Sequence, residues 1–147
     1  MYDKEKLKKI SLICDLYTKN TTAINENKYI KLINNNKEYL NQKVYAIIDR
    51  PIESNPIKEH PEFKYELNYG YIPNTLSGDG EELDCYILGV KDPIQDFTGK
   101  CIAIIHRINE DDDKLILVQN NKDYSIKEIE ELTYFSEKHH KSFVYKE

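Results

Sequence analysis

The chain has 147 residues, enough for one domain with a core of its own, and 39% hydrophobic with 32% charged residues predicts a soluble globular protein. A formal net charge of −5 and a pI near 5.5 exclude broad binding to nucleic acid or to an anionic membrane, because no long basic face is present to replace counterions. A small phosphate anion remains compatible, since metal ions and a few local cations suffice to capture it.

Residues 4–18 place Leu7, Ile10, Ile13 or Cys14, and Leu16 or Tyr17 at helical spacing among charged residues, which predicts an amphipathic helix. Residues 20–42 are polar and Asn-rich and predict a turn or weak hairpin, with 29–33 as a short strand. Residues 44–48 form a strand by β-branched content, limited by Pro51. Pro51, Pro56 and Pro61 make 51–62 an extended loop. The aromatic-rich stretch 65–72 is extended, 83–90 is a strand ending before Pro93, and 100–107 and 115–118 are two strands joined as a hairpin by the acidic turn 109–113. Ser125 followed three residues later by Glu128 is a capping box that starts a helix running to about 139, with Ile126, Ile129, Leu132 and Phe135 on its buried face.

The predicted fold is α+β, mainly β: a small five-stranded barrel of the oligonucleotide/oligosaccharide-binding (OB) type with a flanking helix at each end. Residues 1–43 read as an N-terminal helical extension and 44–147 as the barrel with its C-terminal helix, one domain overall. Three cysteines (Cys14, Cys85, Cys101) without Cys-x-x-Cys spacing imply free thiols in a reducing compartment. The charged N-terminus is followed by no unbroken apolar stretch, so neither a signal peptide nor a membrane span is expected, and the location follows as cytoplasmic.

Four clusters could carry chemistry. The first is Asp79-Gly80-Glu81-Glu82-Leu83-Asp84, three carboxylates on a tight turn entering a strand (Asp79, Glu81, Asp84), with Asp84 at a position where an apolar residue is expected. Burying that carboxylate is costly unless it meets a cation. Such donors suit Mg²⁺ or Mn²⁺, although an acidic turn at a strand edge has the same composition. The second, Asn109-Glu110-Asp111-Asp112-Asp113-Lys114, reads first as a solvated hairpin tip and lacks the calcium-loop pattern. In the third, Asp49-Arg50-Pro51, Arg50 is placed to meet a phosphate or to pair with a neighbouring carboxylate. The fourth, Lys138-His139-His140-Lys141, favours a helix dipole, and its adjacent histidines lack zinc spacing.

Asn68-Tyr69-Gly70-Tyr71-Ile72 followed by Asp79-Gly80-Glu81-Glu82-Leu83-Asp84 resembles the signature of the soluble family I inorganic pyrophosphatases, and Ile48-Asp49-Arg50-Pro51 with Ile104-Ile105-His106-Arg107 resembles a compact bacterial branch of it. The likeness runs from about residue 44 to 141. It implies hydrolysis of pyrophosphate to two phosphates by water activated on several Mg²⁺ ions, Mn²⁺ being the alternative, in a homo-oligomer. By the same resemblance Asp79, Glu81, Asp84, Asp112, Asp49 and Glu110 are metal-side residues. Glu81 takes the proton from the attacking water, and Asp84, Tyr69 and Lys114 join it in catalysis. Arg50, Lys58, Tyr69, Lys114, His140 and Lys141 face phosphate. The chain departs from the family at Glu81 (Asp in the family), Asn109 (Asp) and His140 (Tyr), and the hairpin with the family's phosphate-binding arginine is missing. The extra methylene of Glu81 moves the base by about 1 Å, a displacement able to cost on the order of a hundredfold in rate. Two other readings accompany this one: a hydrolase of another small phosphate ester or anhydride, and a non-catalytic barrel that binds a metal-phosphate ligand or a protein.

Overall fold

β1 (Lys43–Arg50) alternates strictly over its first half, burying Val44, Ala46 and Ile48 and exposing Lys43 and Tyr45. That period of two is the mark of a strand with one face on a core. In the computed structural model, which describes residues 36–76, 80–108 and 110–147, it is followed by β2 (Asn68–Ile72), β3 (Leu83–Leu88), β4 (Asp96–Arg107), β5 (Asp112–Val118), helix α1 (Ile126–Glu137) and β6 (Ser142–Tyr145). A 3-10 turn, Lys37–Tyr39, precedes β1.

The strands lie in the order β1-β2-β3-β5-β4-β6, and β1 also pairs with β4. Hydrogen bonding therefore passes round five strands and returns to the first, the ring of an OB-type barrel. All pairings are antiparallel except β3 with β5. β4 is long enough to serve three neighbours: its first half pairs with β1 and its last part with β6.

Two apolar clusters follow from the alternation. Val44, Ala46, Ile48, Ile72, Leu83, Cys85, Ile87, Ile104, Leu115 and Leu117 draw on every ring strand and fill one side. Tyr69, Tyr86, Leu88, Ile105, Ile116 and Val118 form the other, beneath Ile129 and Phe135 of α1. A register shift between Cys101 and Ala103 lets β4 change which residues face which cluster while it keeps both neighbours. β3 and β5 are covered on both faces, so they read as apolar runs rather than as alternations.

Gly70 has a steric reason. A Cβ there would stand 1.9 Å from the Ile47 carbonyl oxygen, so only glycine lets β2 approach β1 so closely. The capping box is present: Ser125 Oγ accepts from the Glu128 amide at 3.1 Å, and Glu128 Oε1 accepts from the Ser125 amide at 3.0 Å.

Several expectations need correction. β4 begins at Asp96 rather than 100, because β1 accepts its polar first half as a partner. β5 begins at Asp112 rather than 115, so the acidic run is no solvated tip: Asp112 and Asp113 are strand residues, 5% and 4% exposed. β3 stops at Leu88, before the positive-φ Gly89. Leu132 is not on the buried face of α1. It is 38% exposed, and Thr133 takes the inward place, donating its hydroxyl to the Ile129 carbonyl at 2.8 Å. β6 was not expected and adds a sixth strand outside the ring. The helix expected over 4–18 and the strand expected over 29–33 lie outside the described residues.

Candidate active site

Asp84 and Lys114 are direct partners on the parallel strands β3 and β5, and Asp112 lies two residues before Lys114, on the same face. Their side chains meet. Lys114 Nζ donates to Asp84 Oδ2 at 2.8 Å and to Asp112 Oδ2 at 2.5 Å. Tyr69, on the strand on the other side of β3, donates its hydroxyl to the same Asp84 oxygen at 2.8 Å. The ammonium also lies 5.9 Å from the centre of the Tyr69 ring. Lys114 is 1% exposed, a burial that an ammonium tolerates only with charged partners at hand.

The opposite face of β5 holds Asp113. Its carboxylate meets His106 Nδ1 at 2.5 Å and accepts from the Asn36 amide, away from Lys114. Of the carboxylates at 110–113, alternation thus sends Asp112 to the site and Asp113 to a structural network.

Asp49 and Arg50 are consecutive, yet both line the same cleft of about 440 Å³ with Tyr69, Asp84, Asp112 and Lys114. A register shift in β1 between Ile47 and Arg50 supplies the reason, since a bulge breaks the alternation there. Arg50 donates Nη1 to the Tyr65 hydroxyl at 2.6 Å and lies 5.6 Å and 5.8 Å from the Tyr65 and Tyr69 ring centres. Burial is the largest influence on the Asp49 carboxyl and lifts its pKa above the ordinary carboxylate value. Asp84 adds to the lift, while a backbone hydrogen bond and Arg50 oppose it.

The remaining walls are Arg107 and Glu110. Arg107 pairs across the ladder with Asp112. Its Nε and Nη2 donate to Glu137 of α1 at 3.0 Å and 2.6 Å, and its Nη1 is 3.6 Å from Glu110. Tyr86 donates to the same Glu137 at 2.5 Å. Burial opposes the Glu137 charge, but the hydrogen bonds and charge of Arg107 outweigh it, so its pKa lies below the ordinary value. The Tyr69 and Tyr86 hydroxyls are both pushed up, by burial first and then by their carboxylate neighbours, and stay protonated donors.

Four expected residues, Asp49, Asp84, Glu110 and Asp112, supply oxygen donors to one cleft, joined there by Arg50, Tyr69 and Lys114. His140 sits beside it, with Nδ1 2.9 Å from Glu110. Glu81, Lys58 and Lys141 are exposed and do not line this cleft, and Asp79 lies outside the described residues. Among the described residues no three His, Cys, Asp or Glu side chains stand together as a ready ion cage. The carboxylate oxygens of Asp49, Asp84, Glu110 and Asp112 that line the cleft nevertheless fit a hard divalent cation. Sequence reasoning missed Arg107 and Glu137. The only available signal was Arg107 at the end of an apolar strand, two residues before the acidic run.

The family model described as inorganic pyrophosphatase matches residues 30–145. The chain belongs to the inorganic pyrophosphatase family. An inorganic pyrophosphatase of Rickettsia typhi is 31% identical, over 63% of this chain and 63% of that protein, and one of Wigglesworthia glossinidia brevipalpis is 32% identical over 58% of each. The matched region thus spans less than two thirds of the length of these relatives. The crystal structure of inorganic pyrophosphatase from Ehrlichia chaffeensis superimposes with a TM-score of 0.57 at 18% identity, covering 73% of this chain and 87% of that one. An inorganic pyrophosphatase structure from Coxiella burnetii gives 0.51 at 21% identity, covering 71% and 83%. At those identities the likeness is one of fold.

Proposed function

We propose that the chain hydrolyses inorganic pyrophosphate to two phosphates. The observation that carries this reading is the Asp84–Lys114–Asp112 contact beside Arg50 and Arg107, which places carboxylate oxygens and cations in one cleft. Membership of the inorganic pyrophosphatase family supports it. Asp84 and Asp112, with Asp49 and Glu110 and, by its place in the motif 79–84, Asp79, would hold a divalent cation, Mg²⁺ or Mn²⁺, which would acidify water and neutralise phosphate charge.

The chain's own residues do the rest. Lys114, Arg50 and Arg107 hold phosphate oxygens by charge, and the protonated Tyr69 hydroxyl donates its one hydrogen to Asp84 and fixes that carboxylate. Glu81, on the turn before β3, is the proposed acceptor of the water's proton, on the strength of its place in the motif 79–84. Lys58, His140 and Lys141 lie outside the cleft walls and are proposed as a cationic surround for the anion. A homo-oligomer and a cytoplasmic site of action belong to the same proposal. No helix among the described residues is long and apolar enough to cross a membrane.

The test is phosphate release from pyrophosphate with Mg²⁺, comparing wild type with Asp84→Asn. Most activity should vanish, because an amide supplies neither the charge nor the second acceptor oxygen that Asp84 provides. Equal rates would remove Asp84 from the mechanism.

A further inference from the structure

Arg107 borders two spaces. It lines the polar cleft with Asp84, Asp112 and Lys114, and it also lines a second cleft of about 560 Å³ beside Lys138 and His139. An arginine side chain is rich in rotamers. With room on two sides, it needs a tether if it is to meet an anion in one fixed geometry.

That tether is Glu137, the last residue of α1. Its carboxylate accepts from Arg107 Nε at 3.0 Å and from Nη2 at 2.6 Å, the two-bond contact that sets both the place and the plane of a guanidinium. The third nitrogen, Nη1, stands 3.6 Å from Glu110, a wall of the polar cleft. Glu137 is held in turn. Tyr86, wholly buried on the strand that carries Asp84, donates its hydroxyl to Glu137 Oε2 at 2.5 Å.

Helix stability does not account for this glutamate. A carboxylate at the C-terminal end of a helix meets the negative pole of the dipole, and the last turn of α1 holds no basic residue to offset it. Its side chain is also only 8% exposed, which disfavours the charge a second time. Arg107 is the group it answers to. Glu137 does not line the polar cleft, so whatever it does there passes through that guanidinium. The other cleft cations are held differently, Lys114 by Asp84 and Asp112 and Arg50 by the Tyr65 hydroxyl.

We propose that Glu137 is a positioning residue, fixing Arg107 at the wall of the polar cleft so that its guanidinium meets a phosphate oxygen already oriented. The proposal rests on the hydrolytic reading above, and it makes the end of α1 part of the phosphate site. The gain is pre-organisation, because side-chain ordering that binding would otherwise have to impose is complete before the anion arrives.

The experiment uses the full chain with Mg²⁺. Calorimetry reads the affinity for inorganic phosphate, and phosphate release from pyrophosphate reads KM and kcat. Glu137→Asp keeps the charge but is a methylene too short to hold both nitrogens. Glu137→Gln keeps the length but offers one acceptor oxygen for two donors. Each should weaken phosphate by about three- to tenfold and raise KM by the same factor, with kcat changed by less than about twofold. With Arg107 removed, the residue at 137 should cease to matter. Arg107→Met/Glu137→Gln and Arg107→Met/Glu137→Met should bind phosphate with one affinity, weaker than that of wild type. Neither double variant leaves a buried charge unpaired, so the two carry the comparison even if a single variant does not fold. Doubles that differ by about threefold or more would show residue 137 acting on the fold at large and overturn the proposal. So would single variants that bind phosphate as wild type does. A Glu137→Gln variant that binds phosphate more tightly would also overturn it, by making Glu137 a brake on the guanidinium charge. The expected phosphate pattern without turnover of pyrophosphate keeps the assignment of Glu137 and overturns the hydrolytic reading. Turnover with a phosphate affinity indifferent to residue 137 does the reverse.

Discussion

Replacing Lys114 by methionine keeps the aliphatic stem and removes the ammonium that joins Asp84 to Asp112. Two carboxylates then face each other across a cleft with no cation between them. Breaking a buried pair by deleting one partner costs roughly 3–5 kcal/mol. Asp112 has a side chain only 6% exposed, but that of Asp84 is 30% exposed and water screens its share, which argues for the lower end. A loss of about 3 kcal/mol should lower the melting temperature by about 6–12 °C in a chain of this size. Thermal unfolding followed by circular dichroism reads the shift. The double variant Lys114→Met/Asp112→Asn should recover part of it, because one stranded charge is gone, and with the Asp112→Asn single variant the cycle measures the coupling. Phosphate release should fall with Lys114→Met even where the protein is fully folded. A variant that melts within about 1 °C of wild type would refute the bridge as a stabilising contact.

Other outcomes follow from the same geometry. Gly70→Ala should destabilise the barrel by about 1–3 kcal/mol or prevent folding, since its methyl meets the β1 backbone; denaturant unfolding decides this. Glu137 has a folded-state pKa below its unfolded value, so its contribution is complete above about 4.5 and disappears as pH falls through the folded value. The melting-temperature gap between wild type and Glu137→Gln should therefore be widest near neutral pH and close on acidification; a gap that is constant with pH would contradict the Arg107 pairing. Burial pushes the thiols of Cys85 and Cys101 up, the latter to about 12, so both should resist alkylation in the folded protein and react after unfolding, as mass spectrometry of the labelled peptides would show.

Local rules made much of the fold legible. The capping box at Ser125 and Glu128, the alternation in β1 and the turn before β3 each follow from a few adjacent residues. So did the position of Asp84, a carboxylate among apolar neighbours that had to meet a cation. What stayed hidden depends on partners distant in sequence. The polar start of β4 is a strand only because β1 lies beside it, and β6 is four residues long behind a basic run. Asp112 and Asp113 are chemically alike, and only their alternation on β5 sends them to opposite faces. Thr133 displaced Leu132 because its hydroxyl bonds the helix backbone and allows burial. The Arg107–Glu137 pair, 30 residues apart, left no pattern beyond an arginine at the end of an apolar strand.

The lone parallel pairing in the sheet has a consequence for how the protein matures. Asp84 and Lys114 become neighbours only after the intervening β4 has folded back, closing a long excursion of chain before the two charges feel each other. Chemical competence is thus an end product of assembly. A nascent or clipped polypeptide that stops short of β5 carries Asp49 and Asp84 but neither Asp112 nor Lys114, and so has no partial version of the site to offer.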